Sequence, residues 1–447
     1  MDFKRNVYHK LVAWKQKPDR KPLIIRGARQ VGKSTLVSQF SVEFEYFIKL
    51  NLEESKHRVY FEEMDDIQTI VHALFLAEGV PLKADVLVFI DEIQESPKAI
   101  QLLRYFYEYF PDIHVIAAGS LLEFAFKEVA SFPVGRVEQM VLHPFCFEEF
   151  LEALDKSSVT EELKTIPVNQ YAHRTLIDLF HQYALIGGMP EAIKKYVVDG
   201  SPVSLKGVYD NLWLAYKEDV EKYARNTTER KVIMHVMDTA PSEKDRVTLS
   251  GFGNSNYKSR EVREALDALG KARIIQLIYP ATPVRMPLVV DYKRKPRLQF
   301  LDTGLLNYIM GIQAEMIGIK SLDDFYRGKI IMHLVTQELQ AIHDSPLYKP
   351  HFWVREKTNS NAEVDLVYAY KQYLIPIEVK AGESGRLRSL HQFMERAETK
   401  LAIRICGNHF SIDDVKTPLG TPFQLMNIPY YQASQIPEYV KYWFDRK

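Results

Sequence analysis

The sequence predicts an α/β fold in which strands alternate with helices and form a parallel sheet. A strand at Leu23–Ile25 runs through a glycine-rich loop directly into a helix, and a continuous apolar run at Val86–Ile90 ends in two carboxylates. A helix at Lys98–Phe110 then leads to another apolar strand at His114–Ala118. Unbroken apolar strands separated by helices are typical of parallel sheets buried on both faces, so we expect such a sheet in the first part of the chain.

The composition is that of an ordinary globular protein. The chain has 447 residues, of which 46% are hydrophobic and 26% charged, and this length predicts about three domains. Its net charge of +0 excludes a protein whose total charge drives binding to polyanions. The two cysteines, Cys146 and Cys406, have no metal-ligand spacing and favour a reducing compartment. Because the first residues lack an apolar segment and no apolar run is long enough to span a bilayer, we expect a cytoplasmic protein without membrane contact.

The loop after the first strand has the spacing of a phosphate-binding loop. Gly27 and Gly32 are separated by four residues, and Lys33 and Ser34 follow directly. Glycines allow several backbone N–H groups to point at one anion, and the helix N-terminus adds partial positive charge. Lys33 would then contact the β- and γ-phosphates, and the Ser34 hydroxyl would bind Mg²⁺. The predicted phosphate-binding residues are Gly27, Ala28, Arg29, Gln30, Val31, Gly32, Lys33, Ser34 and Thr35.

Two carboxylates after the second apolar strand complete a candidate site for phosphoryl transfer. Parallel sheets bind ligands beyond the carboxyl ends of their strands, which is where Asp91 and Glu92 lie. We expect Asp91 to hold Mg²⁺ and Glu92 to act as general base for the attacking water. Ser120, after the next strand, has two interpretations: it senses the γ-phosphate, or it caps a helix at Leu121–Phe126.

The transfer also needs a cationic side chain, because negative charge accumulates on the γ-phosphate oxygens. Arg136, which follows a Pro/Gly turn, is the first candidate. Arg26, Arg29 and Arg104 compete for the same role, and for each of these arginines a surface ion pair is the alternative.

The order of several short motifs resembles that of a known family. The motifs are GARQVGKST, FIDEIQESP, AAGSLLEF, VGRVEQMVLHPFCFEEFL, YALIGGMPEAI, LQFLDTGLLNYIMG, and AEVDLVY followed by IPIEVK. In this order they resemble the prokaryotic AAA-type ATPases that end in a domain of unknown function, and the resemblance covers nearly the whole chain. It implies an AAA+ ATPase core that uses ATP and Mg²⁺, a winged-helix segment, and a C-terminal fold similar to the PD-(D/E)XK nucleases.

We therefore expect four segments. They are a P-loop core at 1–142, a helical lid at 143–225, a winged-helix-like segment at 226–312 and a nuclease-like domain at 313–447. The third segment carries a helix at Ser259–Ala272 and two extended runs, Arg273–Tyr279 and Pro287–Tyr292. Its helix begins with basic residues that would contact DNA phosphates, namely Lys258, Arg260 and Arg263. The alternative is that this segment packs between other domains and its charges are merely solvated.

The last segment contains a candidate metal site. Strands are predicted at Phe352–Val354, Glu363–Tyr368 and Leu374–Lys380. Asp365, Glu378 and Lys380 have the order and spacing of a PD-(D/E)XK centre, in which two carboxylates bind a second divalent metal and the lysine activates water. The sequence departs from that pattern, because Met332 stands where the preceding helix supplies an acidic residue, and Glu338 lies nearly two turns further along. An active nuclease and a nuclease-derived binding platform are both left open.

These observations predict a Mg²⁺-dependent AAA-type ATPase that couples its nucleotide state to rearrangement of the winged-helix and nuclease-like domains, with DNA as the expected partner. Two alternatives stand beside it. One is an ATP-gated, metal-dependent nuclease, and the other is a nucleotide-operated switch that binds a protein partner and hydrolyses ATP slowly. A homo-oligomer in which a neighbouring copy supplies the arginine is a further expectation from the family resemblance.

Overall fold

The computed structural model describes residues 3–126, 131–243, 246–312, 329–356, 362–380 and 387–446. The chain folds into two compact units. Unit 1 comprises Met1–His143, Lys271–Ile274 and His343–Leu347. Unit 2 comprises Pro144–Gly270, Ile275–Ile342 and Tyr348–Lys447. Within the described ranges, no helix combines the length and the apolar character needed to cross a membrane.

Unit 1 is built on a five-stranded parallel sheet with helices on both faces. Its strands are β1 (Leu23–Arg26), β2 (Tyr46–Asn51), β3 (Val86–Asp91), β4 (His114–Gly119) and β5 (Glu138–Val141), in the spatial order β2-β3-β4-β1-β5. Its helices are α1 (Tyr8–Lys15), α2 (Lys33–Phe40), α3 (Ser55–Glu63), α4 (Ile67–Ala77), α5 (Pro97–Tyr109) and α6 (Leu122–Ala125). All strand pairs in this sheet are parallel, so the predicted α/β fold is confirmed.

The two faces of this sheet are covered by different helices. On one face, Ile70 of α4 and Leu103 of α5 pack in the same core as Val88 of β3. On the other face, α1 and α2 contribute Trp14 and Phe40, whose ring centroids lie 6.5 Å apart. Every residue of β3 and β4 is buried, which explains why these two strands read as unbroken apolar runs.

Two local predictions for unit 1 need correction. The helical periodicity across 61–77 belongs to two helices, because the Asp66 carboxylate accepts the N–H of Thr69 at 2.9 Å and begins α4 as a new helix. The edge strand β5 was not predicted at all. It has only four residues, and its polar first half, Glu138 and Gln139, hides the strand pattern.

Unit 2 begins with a helical region and ends with a mixed sheet. Its helices are α7 (Phe147–Ala153), α8 (Ser157–Lys164), α9 (His173–Ile186), α10 (Pro190–Asp199), α11 (Lys206–Tyr223), α12 (Thr227–Thr239), α13 (Ser259–Lys271, whose last residue joins unit 1), α14 (Thr303–Ile309), α15 (Lys329–Ala341), α16 (Arg388–Met394) and α17 (Ile436–Asp445). Its strands are β6 (Ile275–Ile278), β7 (Pro280–Ala281), β8 (Arg297–Phe300), β9 (His351–Val354), β10 (Glu363–Tyr370), β11 (Tyr373–Val379), β12 (Leu401–Cys406), β13 (Ser411–Lys416) and β14 (Pro422–Pro429). The helical character predicted from residue 143 onwards is thus present in α7–α11.

The strands of unit 2 form two sheets. Seven strands lie in the order β13-β14-β12-β11-β10-β9-β7, and β6 pairs with β8 in a separate antiparallel sheet. The predicted strands near 352, 363 and 374 are present as β9, β10 and β11, whereas β12–β14 were not predicted.

The predicted second strand of the winged-helix-like segment is wrong. Residues 287–292 make only an isolated bridge through Val290, and Arg297–Phe300 is the strand that pairs with β6. Burial explains the choice, because Phe300 opposes Ile275 and both are buried, while Val289 is largely exposed.

A buried carboxyl group on α15 connects this helix to α7 and α9 within unit 2. Glu338 of α15 accepts the N–H of Phe147 at 3.0 and 3.2 Å, and its Oε1 lies 2.8 Å from the Tyr183 hydroxyl of α9. That hydroxyl also lies 2.8 Å from the carbonyl oxygen of Phe145. Burial is the main cause that raises the pKa of Glu338 to about 8, so its carboxyl group is protonated at neutral pH. The Tyr183 hydroxyl is the donor towards both of these oxygens.

This neutral carboxyl predicts a specific pH dependence of stability. The pKa in the folded state, about 8, lies above the usual value near 4.5, so the stabilisation is complete below pH 4.5 and is lost as the pH rises towards 8. Glu338→Gln, which keeps both hydrogen bonds without titrating, should gain stability relative to wild type by up to about 1.4 kcal/mol per pH unit in this window.

The measurement is urea unfolding of both proteins from pH 5 to pH 9. The exposed Glu152→Gln on α7 serves as control and should follow wild type at every pH. A stability difference between Glu338→Gln and wild type that stays constant with pH would show that Glu338 is ionised in the folded protein.

Candidate nucleotide site

The loop between β1 and α2 is shaped by its two glycines. A Cβ atom on Gly27 would lie 2.5 Å from the carbonyl oxygen of Leu142, closer than real Cβ atoms approach. Gly32 has φ 94° and ψ 24°, in the left-handed region, immediately before α2 begins. The spacing recognised in the sequence therefore produces a tight loop that ends at a helix N-terminus, the geometry that presents backbone N–H groups to an anion.

Lys33, the first residue of α2, is buried over this loop. Its Nζ donates to the carbonyl oxygens of Gly27 at 3.1 Å and Ala28 at 2.9 Å. Burial lowers the pKa of Lys33 to about 8, and the nearby carboxylates of Glu92 and Asp91 oppose this shift. The side chain is therefore mostly an ammonium group at pH 7, held among carbonyl and carboxylate oxygens.

The two carboxylates at the end of β3 lie next to the start of α2. The Asp91 carboxylate is buried and accepts a hydrogen bond from the Ser34 hydroxyl. Burial raises the pKa of Asp91, and the hydrogen bond from Ser34 opposes that rise. Glu92 has a left-handed backbone conformation with φ 50°, and its N–H donates to Asp91 Oδ1 at 3.1 Å. Two oxygen ligands of the kind that Mg²⁺ takes, one hydroxyl and one carboxylate, are therefore in contact, so these residues fit the ion.

Gln94 is a neighbour of Glu92 that the sequence analysis missed. Its Nε2 donates to Glu92 Oε2 at 2.6 Å. A Cβ atom on Gly119, at the end of β4, would overlap the Gln94 amide, so the glycine provides the space this side chain occupies. Ser120 follows Gly119 and is buried at the same edge of the sheet. The sequence gives no sign of this contact, since a glutamine two residues after a glutamate is common.

Arg136 lies at the opposite end of the strands from the phosphate loop. It precedes β5, which runs parallel to β1, so it lies near the amino ends of the strands, whereas the loop at 27–32 follows their carboxyl ends. Its Nε contacts Glu108 Oε1 at 2.9 Å, and the side chain is half exposed. This placement argues against a contact between Arg136 and the phosphate loop of its own chain, and its use by a neighbouring copy stays a prediction.

Two other arginines and a glutamate form a charged cluster beside the loop. Arg273 contacts Glu123 Oε1 through Nη2 at 2.9 Å and Nε at 3.2 Å, and Arg26 Nη1 lies 3.6 Å from the same oxygen. The Arg26 guanidinium also lies 4.6 Å from the centre of the Phe126 ring. The charges of Glu123 and Arg273 both act on the pKa of Lys33, in opposite directions, which sets the cluster close to the loop.

Of these residues, only Arg26 was a sequence candidate. Arg273 is 150 positions from Glu123, and no local pattern connects them. Arg104, another candidate, donates to the Tyr105 hydroxyl on α5.

The predicted DNA-contacting residues lie at the start of α13. The backbone N–H of Lys258 donates to Glu261 Oε2 at 2.7 Å, and Arg260 Nε donates to Glu264 Oε1 at 2.9 Å. Arg263 Nη1 lies 3.4 Å from the Tyr279 hydroxyl. The opposite face of the helix is buried through Val262, Leu266 and Leu269, which leaves the basic side chains towards solvent.

The candidate nuclease-like residues are partly brought together. Asp365 of β10 and Glu378 of β11 lie one step beyond the paired residues Leu366 and Ile377 of these antiparallel strands. Lys380 Nζ contacts Glu378 Oε1 at 2.6 Å. Burial, followed by the charge of Asp365, raises the pKa of Glu378 to about 7. Glu338 instead has its partners on α7 and α9, as described above, and no group of three or more metal-binding side chains occurs among the residues that the structure describes.

Comparison with protein families identifies the domain that contains the first of these sites. Residues 19–151, which include the loop and both carboxylates, match the family described as AAA domain. The chain contains an AAA-type P-loop ATPase domain. Residues 177–316 match a domain of unknown function, DUF8612, and residues 327–426 match another, DUF4143.

Individual proteins are more distant. An uncharacterized protein of Haemophilus influenzae is 24% identical over 205 residues, which cover 43% of this chain and 44% of that protein, less than half the length of either. The Walker-type ATPase of Pyrococcus abyssi is similar over 69% of this chain and 96% of its own, with 14% identity and a TM-score of 0.46. The Orc1 protein of Aeropyrum pernix, solved in complex with DNA, is similar over 70% of this chain and 94% of its own, with 12% identity and a TM-score of 0.31.

Arg273 lies beside the phosphate loop, whereas Arg136 lies at the other end of the strands. We therefore expect different effects from substituting these two arginines. Arg273→Ala removes a cation beside the phosphate loop and should lower the rate of ATP hydrolysis by ~100-fold, the size expected when one preorganised charge is lost from a transition state. Arg136→Ala should leave the rate within about twofold of wild type, because its partner Glu108 lies away from the loop.

Steady-state phosphate release at saturating ATP measures both variants. An equally active Arg273→Ala would remove Arg273 from the site. A loss of activity in Arg136→Ala that can be rescued by mixing with Lys33→Ala chains would assign Arg136 to a neighbouring copy.

Proposed function

We propose that the protein binds ATP with Mg²⁺ at the loop of residues 27–35 and hydrolyses it. The observation that carries this proposal is the hydrogen bond between Ser34 and Asp91, beside Glu92. It joins the phosphate loop to the carboxylate pair, two features that the sequence presents 57 positions apart. The match of this region to the AAA domain family supports the proposal.

Phosphate binding falls to Lys33 and the loop backbone. The Lys33 ammonium, now bonded to the carbonyl oxygens of Gly27 and Ala28, can exchange these weak partners for phosphate oxygens. Since its pKa is about 8, the side chain is charged at neutral pH, and a bound anion would raise that pKa further. The N-terminus of α2 adds its partial charge to the same anion.

Ser34 and Asp91 would hold the Mg²⁺ ion. Their hydroxyl and carboxylate, already in contact, provide two oxygen ligands, and phosphate oxygens and water provide the remainder. When bound, the ion supplies neutralisation of the charge on the β- and γ-phosphates.

Glu92 is the proposed general base. A carboxylate beside the phosphate loop can accept a proton from water as the water attacks the γ-phosphorus. The hydrogen bond from Gln94 restricts the Glu92 carboxylate to one orientation, so Gln94 acts as a positioning residue. Arg26 and Arg273, paired with the single carboxylate of Glu123, are the cations we propose to stabilise the charge on the transferred phosphoryl group.

Two substitutions separate binding from hydrolysis. Lys33→Ala should abolish binding of a fluorescent ATP analogue, because the buried ammonium is lost. Glu92→Gln should bind the analogue like wild type but hydrolyse ATP ~10²–10⁴-fold more slowly, since an amide accepts no proton.

Glu95→Gln, three residues further along, is the matched control and should retain both properties. Unchanged hydrolysis by Glu92→Gln would exclude Glu92 as the base. Unchanged nucleotide binding by Lys33→Ala would refute the proposed site as a whole.

We also propose that nucleotide state is coupled to the segment that follows α13. Lys271–Ile274 belongs to unit 1, while α13 ends at Lys271 and β6 begins at Ile275. Arg273, at the centre of this short segment, pairs with Glu123 of the ATPase domain. A change in charge at the phosphate loop would therefore act directly on residues covalently joined to α13.

DNA is the partner we propose for that helix. Arg260, with an almost fully exposed side chain, has only a helix-surface ion pair with Glu264, and such pairs are weak enough to be exchanged for a phosphate. A switch that binds a protein partner instead is the alternative.

An electrophoretic mobility shift distinguishes the two partners. Duplex DNA should bind wild type with an affinity that falls steeply with salt, and Lys258→Ala/Arg260→Ala should bind several-fold more weakly with a shallower salt dependence. Arg174→Ala, an equally exposed arginine on α9, is the control and should bind like wild type. Absence of any DNA shift in wild type at low salt would favour the protein-binding alternative.

An ATP-gated nuclease is the second candidate activity, because Asp365, Glu378 and Lys380 lie together. It requires a divalent ion at these carboxylates, and the cations around them oppose such an ion.

A further inference from the structure

The carboxylates of β10 are already paired with cations of the same unit. Arg297, the first residue of β8, contacts Glu363 Oε1 through Nη2, and the same nitrogen lies 3.4 Å from Asp365 Oδ1. Its Nη1 donates to the carbonyl oxygen of Asp365 at 3.0 Å. The Arg297 side chain is only 11% exposed, so this guanidinium is enclosed by the groups it contacts.

Two more cations complete the charge balance. Arg246 Nη2 lies 2.7 Å from Glu363 Oε2, and Lys380 Nζ lies 2.6 Å from Glu378 Oε1. Three carboxylates thus face three cations. Among the described residues, the cluster has no excess negative charge with which to attract a divalent ion.

The oxygen atoms are occupied as well as the charges. Both oxygens of Glu363 contact arginines, and Asp365 contributes Oδ1 to Arg297 and Oδ2 to the N–H of Val379 at 2.9 Å. Within the described ranges of the chain, Glu378 Oε2 is the only one of the six carboxylate oxygens without a hydrogen-bond partner. Mg²⁺ or Mn²⁺ needs several oxygen ligands at short distance, and one free oxygen does not meet that need.

Apolar contacts fix Arg297 in this position. Its guanidinium lies 4.5 Å from the centre of the Phe352 ring, and that of Arg246 lies 5.1 Å from it. Met332 Sδ of α15 lies 3.8 Å from Arg297 Nη1. The helix that the nuclease pattern would use to supply an acidic residue thus presents a thioether here, and that thioether lies against the arginine.

We infer that Arg297 is the resident cation of the Glu363–Asp365–Glu378 carboxylate cluster and that it excludes divalent metal from this site. The inference does not depend on ATP hydrolysis, since every residue in it lies in unit 2. The cluster also has a structural role. Arg246 and Arg297 form an isolated backbone bridge, and both side chains contact Glu363, so the pair holds β8 against β10.

Mn²⁺ binding, followed by electron paramagnetic resonance without nucleotide, tests the inference. Wild type and Asp365→Asn should bind equal amounts of Mn²⁺, because Asp365 binds no metal in wild type. Any binding near Ser34 and Asp91 is common to both proteins and cancels in this comparison. A wild type that binds one more Mn²⁺ per chain than Asp365→Asn would overturn the inference.

Arg297→Met tests the exclusion directly. Methionine keeps the apolar contacts with Phe352 and Met332 but releases Asp365 and one oxygen of Glu363. This variant should gain one Mn²⁺ per chain, and Arg297→Met/Asp365→Asn should lose it again. Arg285→Met, which removes an exposed arginine paired with Glu398, is the control and should gain none.

A folded Arg297→Met, checked by circular dichroism, that gains no Mn²⁺ would refute the exclusion. Should that variant fail to fold, Arg297→Gln is the second variant, with the same gain of Mn²⁺ expected. The comparison of wild type with Asp365→Asn stands in either case.

Discussion

The candidate site depends on the parallel pairing of three strands. β4 lies between β1 and β3 and pairs with both, with Arg26 opposite Gly119 and Ala117 opposite Ile90. Because all three strands run in the same direction and in register, their carboxyl ends lie side by side. The phosphate loop, the carboxylate pair and Ser120 follow these carboxyl ends. No local interaction could assemble them if one of these strands ran in the opposite direction.

The sequence predicts those parts of the site that depend only on residues close together in the chain. The loop at 27–34 and the pair Asp91-Glu92 each need only neighbouring residues and a preceding apolar strand. Gln94 was missed because its role comes from a contact with Gly119 across the sheet. Glu123 and Arg273 were missed because a pair 150 positions apart leaves no periodic signal.

Strand direction explains the misplaced arginine. The sequence analysis chose Arg136 because it follows a Pro/Gly turn, and that pattern does not show at which end of the strands the turn lies. The four-residue strand β5, half polar in sequence, places it at the amino ends of the strands instead. The wing strand was misplaced for a related reason, because burial of Phe300 against Ile275 selects the register that an extended pattern at 287–292 does not reveal.

Three buried ionisable groups show three ways of meeting the cost of desolvation. Lys33 stays charged between the carbonyl oxygens of Gly27 and Ala28 and the nearby carboxylates, and its pKa near 8 leaves it responsive to an incoming anion. Glu338 is protonated and therefore neutral, and the positive charge of Arg297 is balanced by the carboxylates of Glu363 and Asp365. Lys33 is thus the one of these three whose charge is still available to a ligand, which agrees with the proposal that the chemistry belongs to the ATPase domain.

Unit 1, which contains the ATPase domain, is not one continuous stretch of chain. Val141 of β5 donates its N–H to the carbonyl oxygen of Asp344 at 2.7 Å, and Lys10 of α1 pairs with the Asp344 carboxylate at 3.0 Å. Arg273 enters the same unit from yet another part of the sequence. A fragment of residues 1–143 alone would therefore lack Asp344, the backbone partner of the edge strand β5, and the cation Arg273. The three stretches therefore have to be present together for unit 1 to be complete.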